Sequence, residues 1–140
     1  MADYYTNFSL QLRLPNVAAQ TYALALAEQV NRVNQSEEAQ EELHPAIRDH
    51  ADNWGFEVKA EVVEGQPGLW LHSSNGGIDA VCAFLQHLLQ MFDPTGRVTF
   101  QWSHDCSKHR TDAYGGGAAI VTARKIKTMS TSEWLCKHAR

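Results

Sequence analysis

The chain has 140 residues and a mass of 15.7 kDa, which predicts a single domain spanning residues 1–140. Apolar residues make up 44% of it and charged residues 20%, which excludes a disordered or fibrous protein. No apolar run approaches the roughly 20 residues that cross a bilayer, and the N-terminus lacks a signal-peptide core, so we expect no membrane partner. The three cysteines stand far apart without a CxxC pair, which favours a reducing compartment and predicts a cytoplasmic protein. No cofactor motif stands out, and no cofactor is expected.

The net charge of -4 conceals an uneven distribution. Residues 1–70 hold four Lys and Arg against eleven Asp and Glu, whereas residues 71–140 hold eight against five. Most of the acidity lies between Glu37 and Glu64, and the ordinary interpretation is the solvated face of a helix. The alternative interpretation is an acidic surface that attracts a basic partner. The candidate residues of that surface are Glu37, Glu38, Glu41 and Glu42.

The N-terminal third of the chain predicts one strand followed by two helical stretches. Apolar and polar residues alternate over residues 4–14, which indicates a half-buried strand that ends before Pro15. Asn16 then caps a helix whose apolar residues recur at spacings of three and four. A second helical stretch is expected from Ser36. It breaks at His44 and restarts, because Pro45 cannot lie inside a helix, and Gly55 ends it.

The rest of the chain predicts a hairpin, a long helix and two further strands. Strands at 56–62 and 69–72 flank a Gly- and Pro-containing turn. The clearest helix runs from Ile78 to Phe92, and His87 lies off its apolar row, which predicts a surface histidine. The last two strands are expected at 98–102 and 118–123, before a short terminal helix that a capping box introduces.

This order of elements predicts an α+β fold in which helices pack on one face of a mostly antiparallel sheet. The first six elements follow the β-α-β-β-α-β order of ferredoxin-like folds. An extra strand follows them towards the C-terminus.

The densest group of reactive side chains falls in residues 102–117, which we predict to be a strand end followed by a long loop. One interpretation is a metal site made of His104, Cys106 and His109, because zinc prefers imidazole and thiolate ligands. The H-x-C-x-x-H spacing is not a standard signature, so this interpretation is weak. A second interpretation is nucleophilic catalysis, in which a histidine activates Cys106 or Ser107.

Two further interpretations of the same loop involve binding without catalysis. The backbone of Gly115–Gly117 together with Lys108 and Arg110 could hold a phosphate or a nucleic acid. The acidity of the whole chain makes direct nucleic-acid binding the less favoured of these readings. The other interpretation is a rigid surface that contacts a protein, because aromatic and arginine side chains anchor interfaces. Its residues are Trp102, Lys108, Arg110, Asp112 and Tyr114.

The run from Trp102 to Ala118 resembles a motif, W-x3-C-S-K-x-R-x3-[FY]-G-G-G-A, of small uncharacterised proteins found in bacteria, phages and plasmids. The resemblance extends to the aromatic first strand, the Gly68–Trp70 strand and the central helix, and it places a proline at the position of His109. It implies an accessory factor of a mobile element, a group that includes inhibitors of host defence such as anti-CRISPR proteins. It implies no catalytic residue.

The preferred hypothesis is therefore a non-enzymatic protein that inhibits a host defence nucleoprotein by stoichiometric contact. A small metal- or cysteine-dependent enzyme that uses residues 104–110 is one alternative. A module that binds nucleic acid or phosphate is the other.

Overall fold

The computed structural model describes residues 2–139, which form one domain with six β-strands and four α-helices. The elements are β1 (Tyr4–Arg13), α1 (Val17–Asn34), α2 (Pro45–Arg48), β2 (Glu57–Val63), β3 (Gln66–Ser73), α3 (Ile78–Phe92), β4 (Arg97–Cys106), β5 (Gly115–Thr122), β6 (Ile126–Ser130) and α4 (Thr131–His138). The strands make one antiparallel sheet in the order β2-β3-β1-β4-β5-β6, so β2 and β6 are its edges. The predicted α+β class is confirmed.

The two faces of the sheet differ because side chains alternate along each strand. Phe8, Leu10 and Leu12 of β1 are buried on one face, and the register sets Leu71 of β3 beside Leu10 on the same side. Apolar residues of α1 and α3 belong to the same core cluster and cover that face. Gln11 and the other intervening residues of β1 point to the opposite face, which is polar.

Helix α1 begins where the sequence predicts. The side chain of Asn16 accepts a hydrogen bond of 2.9 Å from the backbone N–H of Ala19, which satisfies one of the free amides of the first turn. Ala19 and Ala23 are fully buried, and their small side chains allow the helix to lie close to the sheet.

The predicted second helical stretch is wrong for most of its length. Ser36 takes a left-handed conformation with a φ of 61°, which ends the helical path, and only a single turn of 3-10 helix follows at Gln40–Glu42. Pro45 lies at the first position of α2, where its missing N–H costs nothing, and α2 is only four residues long. The acidic residues after Ser36 therefore belong to an irregular segment and not to a helix face.

The strands near the C-terminus also differ from the prediction. Strand β4 continues to Cys106 and β5 already begins at Gly115, so the connecting loop is residues 107–114 and is shorter than the predicted strands at 98–102 and 118–123 imply. Two strands follow β4 where one extra strand is expected, because Ile126–Ser130 pairs with β5 as β6. Its sequence, IKTMS, has no run of alternating apolar residues that would indicate a strand.

The helices of residues 2–139 include none that is both long enough and apolar enough to span a bilayer.

Candidate functional site

The loop between β4 and β5 is fixed at both of its ends. Ser107 exchanges two hydrogen bonds with the backbone of Asp3, one through its hydroxyl and one through its N–H, each 2.8 Å long. Ala113, near the other end, is buried, and its N–H donates to the carbonyl oxygen of Arg110. These contacts hold the residues between them as a defined tip at the end of the sheet.

The tip presents charged and aromatic side chains to solvent. Lys108, Arg110 and Asp112 are exposed, and none of them forms an ion pair with another residue in the range 2–139. Tyr114 is 49% exposed, and its ring stacks on that of His109 at 6.5 Å between centroids. The Tyr114 hydroxyl lies 3.2 Å from Nδ1 of that histidine. The tip therefore carries two exposed cations without an intramolecular ion pair and two exposed aromatic rings.

Trp102 does not belong to this tip. It is half-buried in β4, where its ring packs against Phe100 at 5.7 Å between centroids and lies over Gly117. A side chain on that glycine would collide with the Trp102 ring and with the backbone oxygen of Met129. The structure thus separates Trp102 from the charged residues with which the sequence groups it.

The three glycines at positions 115–117 pack closely against β4, β6 and the first residue of α4. A Cβ on Gly115 would lie 2.9 Å from Oγ1 of Thr131, and one on Gly116 would meet the backbone oxygen of Trp102. The N–H of Gly116 donates to Oγ1 of Thr131 over 3.1 Å. Gly117 pairs with Trp102 on one side and with Ser130 on the other. Glycine at these three positions allows neighbouring backbones to approach closely. The N–H of Gly116, which the sequence suggested for binding an anion, is already hydrogen-bonded to Thr131.

The three weak metal candidates have separate partners. Nδ1 of His104 lies 2.8 Å from the hydroxyl of Thr6, and His109 is at the tip beside Tyr114. Cys106 is half-buried at the end of β4, opposite Tyr4. Across residues 2–139, no group of three or more His, Cys, Asp and Glu side chains is arranged to hold a metal ion.

The arrangement required for nucleophilic catalysis is likewise not assembled around this loop. The hydroxyl of Ser107 accepts a hydrogen bond from the backbone of Asp3, and the hydrogen bonds of His104 and His109 go to Thr6 and Tyr114. No hydrogen bond in the described chain joins Cys106 or Ser107 to a histidine, which is the contact that activates such a nucleophile.

The acidic candidates lie in the segment that follows α1. Glu37, Glu41 and Glu42 are exposed, whereas Glu38 is half-buried and its carboxylate lies 3.8 Å from Nε of Arg32. They remain a cluster of largely solvated carboxylates.

A buried polar group that the sequence did not indicate lies between α1 and α3. His87, predicted at the surface, is only 3% exposed. Its Nε2 lies 2.6 Å from the Tyr22 hydroxyl, and its ring contacts that of His44 with 4.2 Å between centroids and a tilt of 41° between the ring planes. Burial, together with the charge of His44, lowers the pKa of His87, and burial raises the pKa of Tyr22. The prediction failed because the segment after α1 covers this side of α3, and no local spacing reports that contact.

No protein-family model, no curated protein and no solved structure matches this chain.

Proposed function

We propose that this protein acts without catalysis, by stoichiometric contact with another protein or nucleoprotein through the tip of the β4–β5 loop. The contact residues are Lys108, Arg110, Asp112 and Tyr114. Trp102 supports the base of the same hairpin from inside the sheet, and a cytoplasmic location fits three cysteines that are all free.

The observation that carries this proposal is the combination of a fixed backbone with free side chains. The contacts of Ser107 and Ala113 already order the backbone of the loop. Little conformational freedom of the backbone is therefore lost when a partner binds. Lys108 and Arg110 are exposed and have no intramolecular ion pair among the described residues, so their charges are available to an acidic surface. Arginine and tyrosine are also the residue types enriched where binding energy concentrates.

The partner that we propose is a host defence nucleoprotein, and the proposal includes an accessory, anti-CRISPR-like role encoded by a mobile element. Its support is the resemblance of the motif from Trp102 to Ala118 to proteins of phages and plasmids. The exposed carboxylates of Glu37, Glu41 and Glu42, with Glu38, would serve as a second surface that meets basic groups of such a complex.

A nucleic-acid-binding module is the second candidate function, because Lys108 and Arg110 adjoin His109 in the sequence and the ring of His109 stacks on that of Tyr114. A metal- or cysteine-dependent enzyme that uses residues 104–110 has less support, because His104 and His109 contact Thr6 and Tyr114 and not each other.

The test is capture of partners from host lysate on the immobilised protein, with and without nuclease treatment. We expect a stoichiometric protein partner that survives nuclease and that the double variant Lys108→Ala/Arg110→Ala loses by at least tenfold. Arg13→Ala/Arg97→Ala is the matched control, because it removes two exposed cations from the opposite end of the sheet.

Two results would redirect the proposal. A partner that disappears with nuclease would favour the nucleic-acid module. Equal capture by both double variants would show that the loop tip is not the contact, and metal content with turnover assays would then test the enzyme.

We also propose that β1 to β4 with α1 and α3 form a ferredoxin-like unit to which β5 and β6 are added. The sheet order β2-β3-β1-β4 and the two helical connections support this relation. An experimental structure with α1 and α3 on opposite faces of the sheet would contradict it.

A further inference from the structure

Strand β6 leaves one edge of the sheet open. It pairs with β5 on one side, and no strand among residues 2–139 pairs with its other side. The N–H of Thr122 donates to the carbonyl oxygen of Lys125 over 2.8 Å, which fixes the alternation of hydrogen bonds along this hairpin. Lys127 and Met129 consequently bond to β5, whereas the N–H and C=O groups of Ile126 and Thr128 point away from the sheet.

Several apolar side chains are exposed around this edge. Ile126 is 40% exposed and Met129 45% exposed, and Lys127 is the single charged residue of β6. Helix α4 packs beside β5 and β6 and leaves Trp134 and Leu135 each 54% exposed. Open edges normally carry charges, prolines or a cover that prevents pairing, and β6 has little of this protection.

We propose that the β6 edge binds a second copy of this chain, with the two β6 strands antiparallel about a two-fold axis at Thr128. This register uses all five residues of β6. It sets Thr128 opposite Thr128, Ile126 opposite Ser130, and Lys127 opposite Met129. The outward groups of Thr128 then bond to those of the second Thr128, and the outward groups of Ile126 bond to those of Ser130, which the same alternation points away from β5.

The positions of the charged residues favour this register and favour a second copy of the chain as the partner. A two-fold axis one residue earlier would place Lys127 against itself, and like charges directly opposite each other destabilise a strand pair. With the axis at Thr128, the first turn of α4 lies beside the β5–β6 turn of the second copy. That contact brings Glu133 near Arg124 and Lys125, and none of these three forms an ion pair within residues 2–139. A strand with a self-complementary register and matching charges at its two ends fits another copy of itself.

The test is sedimentation equilibrium of the full chain over protein concentrations from about 1 to 500 µM. A five-residue strand pair is a small interface, so we expect a reversible dimer of twice the 15.7-kDa mass with a dissociation constant on the order of 100 µM. Thr128→Lys and Thr128→Glu each place two like charges at the axis. Each should weaken the dimer about tenfold, whereas their equimolar mixture should restore it.

Two further pairs of variants keep the proposal testable if a Thr128 variant does not fold. Met129→Lys should weaken the dimer because it faces Lys127, and Met129→Glu should tighten it. Ala60→Lys and Ala60→Glu on the opposite edge are the matched controls and should leave the dimer unchanged. A wild-type protein that stays monomeric throughout the concentration range would overturn the proposal. So would charge variants that dimerise equally well alone and mixed.

Discussion

The two edge strands of the sheet, β2 and β6, differ in how well their side chains prevent pairing with another strand. On β2, Glu57, Lys59 and Glu61 alternate along the strand, and each contacts the polar face of the sheet. Glu57 lies 3.3 Å from His72, Lys59 stands 5.7 Å over the ring of Trp70, and Glu61 accepts a 2.8 Å hydrogen bond from Gln11. On β6, Lys127 is the one charge. Charged side chains on an edge strand disfavour pairing with another strand, so the β2 edge is better protected against pairing than the β6 edge.

The two hairpins that contain these edge strands are also held in different ways. Strand β2 turns back through Glu64 and Gly65, whose φ angles of 51° and 77° suit a tight hairpin open to solvent. Strand β6 is held instead by close packing, because Gly117 of β5 has no room for a side chain beneath the Trp102 ring. The β2 edge therefore depends on local backbone conformation and the β6 edge on tertiary contacts.

The largest effect is expected from filling the space at Gly117. Gly117→Val should lower the free energy of unfolding by about 3 kcal/mol, because its side chain meets the Trp102 ring and the Met129 backbone. Gly65→Ala should cost about 1 kcal/mol, since its Cβ meets nothing within 4 Å and only the left-handed φ opposes it. Urea unfolding of both variants measures the difference. Equal losses would contradict the distinction between the two hairpins.

Proline substitutions on the two edge strands distinguish an effect on association from an effect on folding. Thr128→Pro removes an N–H that points away from β5, and the dimer should weaken by about 100-fold or more. Ala60→Pro removes the equivalent outward N–H of β2, and association should not change. Sedimentation velocity compares the two, with circular dichroism as the check on folding. A loss of association in Ala60→Pro alone would place the contact on β2.

Helix α3 carries a buried group that titrates, His87, so acid should affect the stability of the fold through it. The pKa of His87 is lowered in the folded chain, and the unfolded chain therefore takes up the proton first as the pH falls. The stability that neutral His87 provides is complete above about pH 6.5 and declines below it.

His87→Gln keeps a hydrogen-bond partner for Tyr22 but does not titrate, so its melting temperature should fall less between pH 7.5 and 5 than that of the wild type. At pH 7.5, His87→Ala should cost about 1–3 kcal/mol because it leaves the half-buried Tyr22 hydroxyl without its partner. Differential scanning calorimetry records both quantities. Identical pH profiles for the wild type and His87→Gln would assign the acid sensitivity to other groups.

The smallest effect is expected from Arg13, next to the β2 turn. Its ion pair with Glu64, 3.2 Å long, joins two side chains that are more than half exposed. Such pairs contribute little in water, and Arg13→Ala should change stability by less than about 0.5 kcal/mol. Thermal unfolding measures it, and a loss above 1 kcal/mol would mean that the β2 edge depends on this ion pair.

The elements with strong periodicity could be predicted from the sequence. The alternation in β1, the Asn16 cap and the apolar row of α3 are local signals that the core then uses. Strand β6 could not be predicted in this way, because an exposed edge strand has no buried face to impose a pattern.

The candidate site was predictable only as a set of residues. The sequence indicates the charges of Lys108 and Arg110, but the contact between Ser107 and Asp3 joins positions about a hundred residues apart. The contact between Tyr22 and His87 is likewise between positions far apart in the sequence. The packing of Trp102 against Phe100, which keeps it away from the tip, depends on the fold of the sheet. The sequence identifies which side chains are charged or reactive. Which of them come into contact is determined by the fold.

The most direct test of the difference between the edges is amide hydrogen exchange, followed by NMR at low and high protein concentration. The amides of Ile126 and Thr128 should become protected as concentration rises, because they pair with a second copy. The outward amides of β2, at Val58 and Ala60, should exchange at the same rate throughout. Protection that rises at β2, or at neither edge, would contradict the assignment of β6 as the open edge that binds another copy.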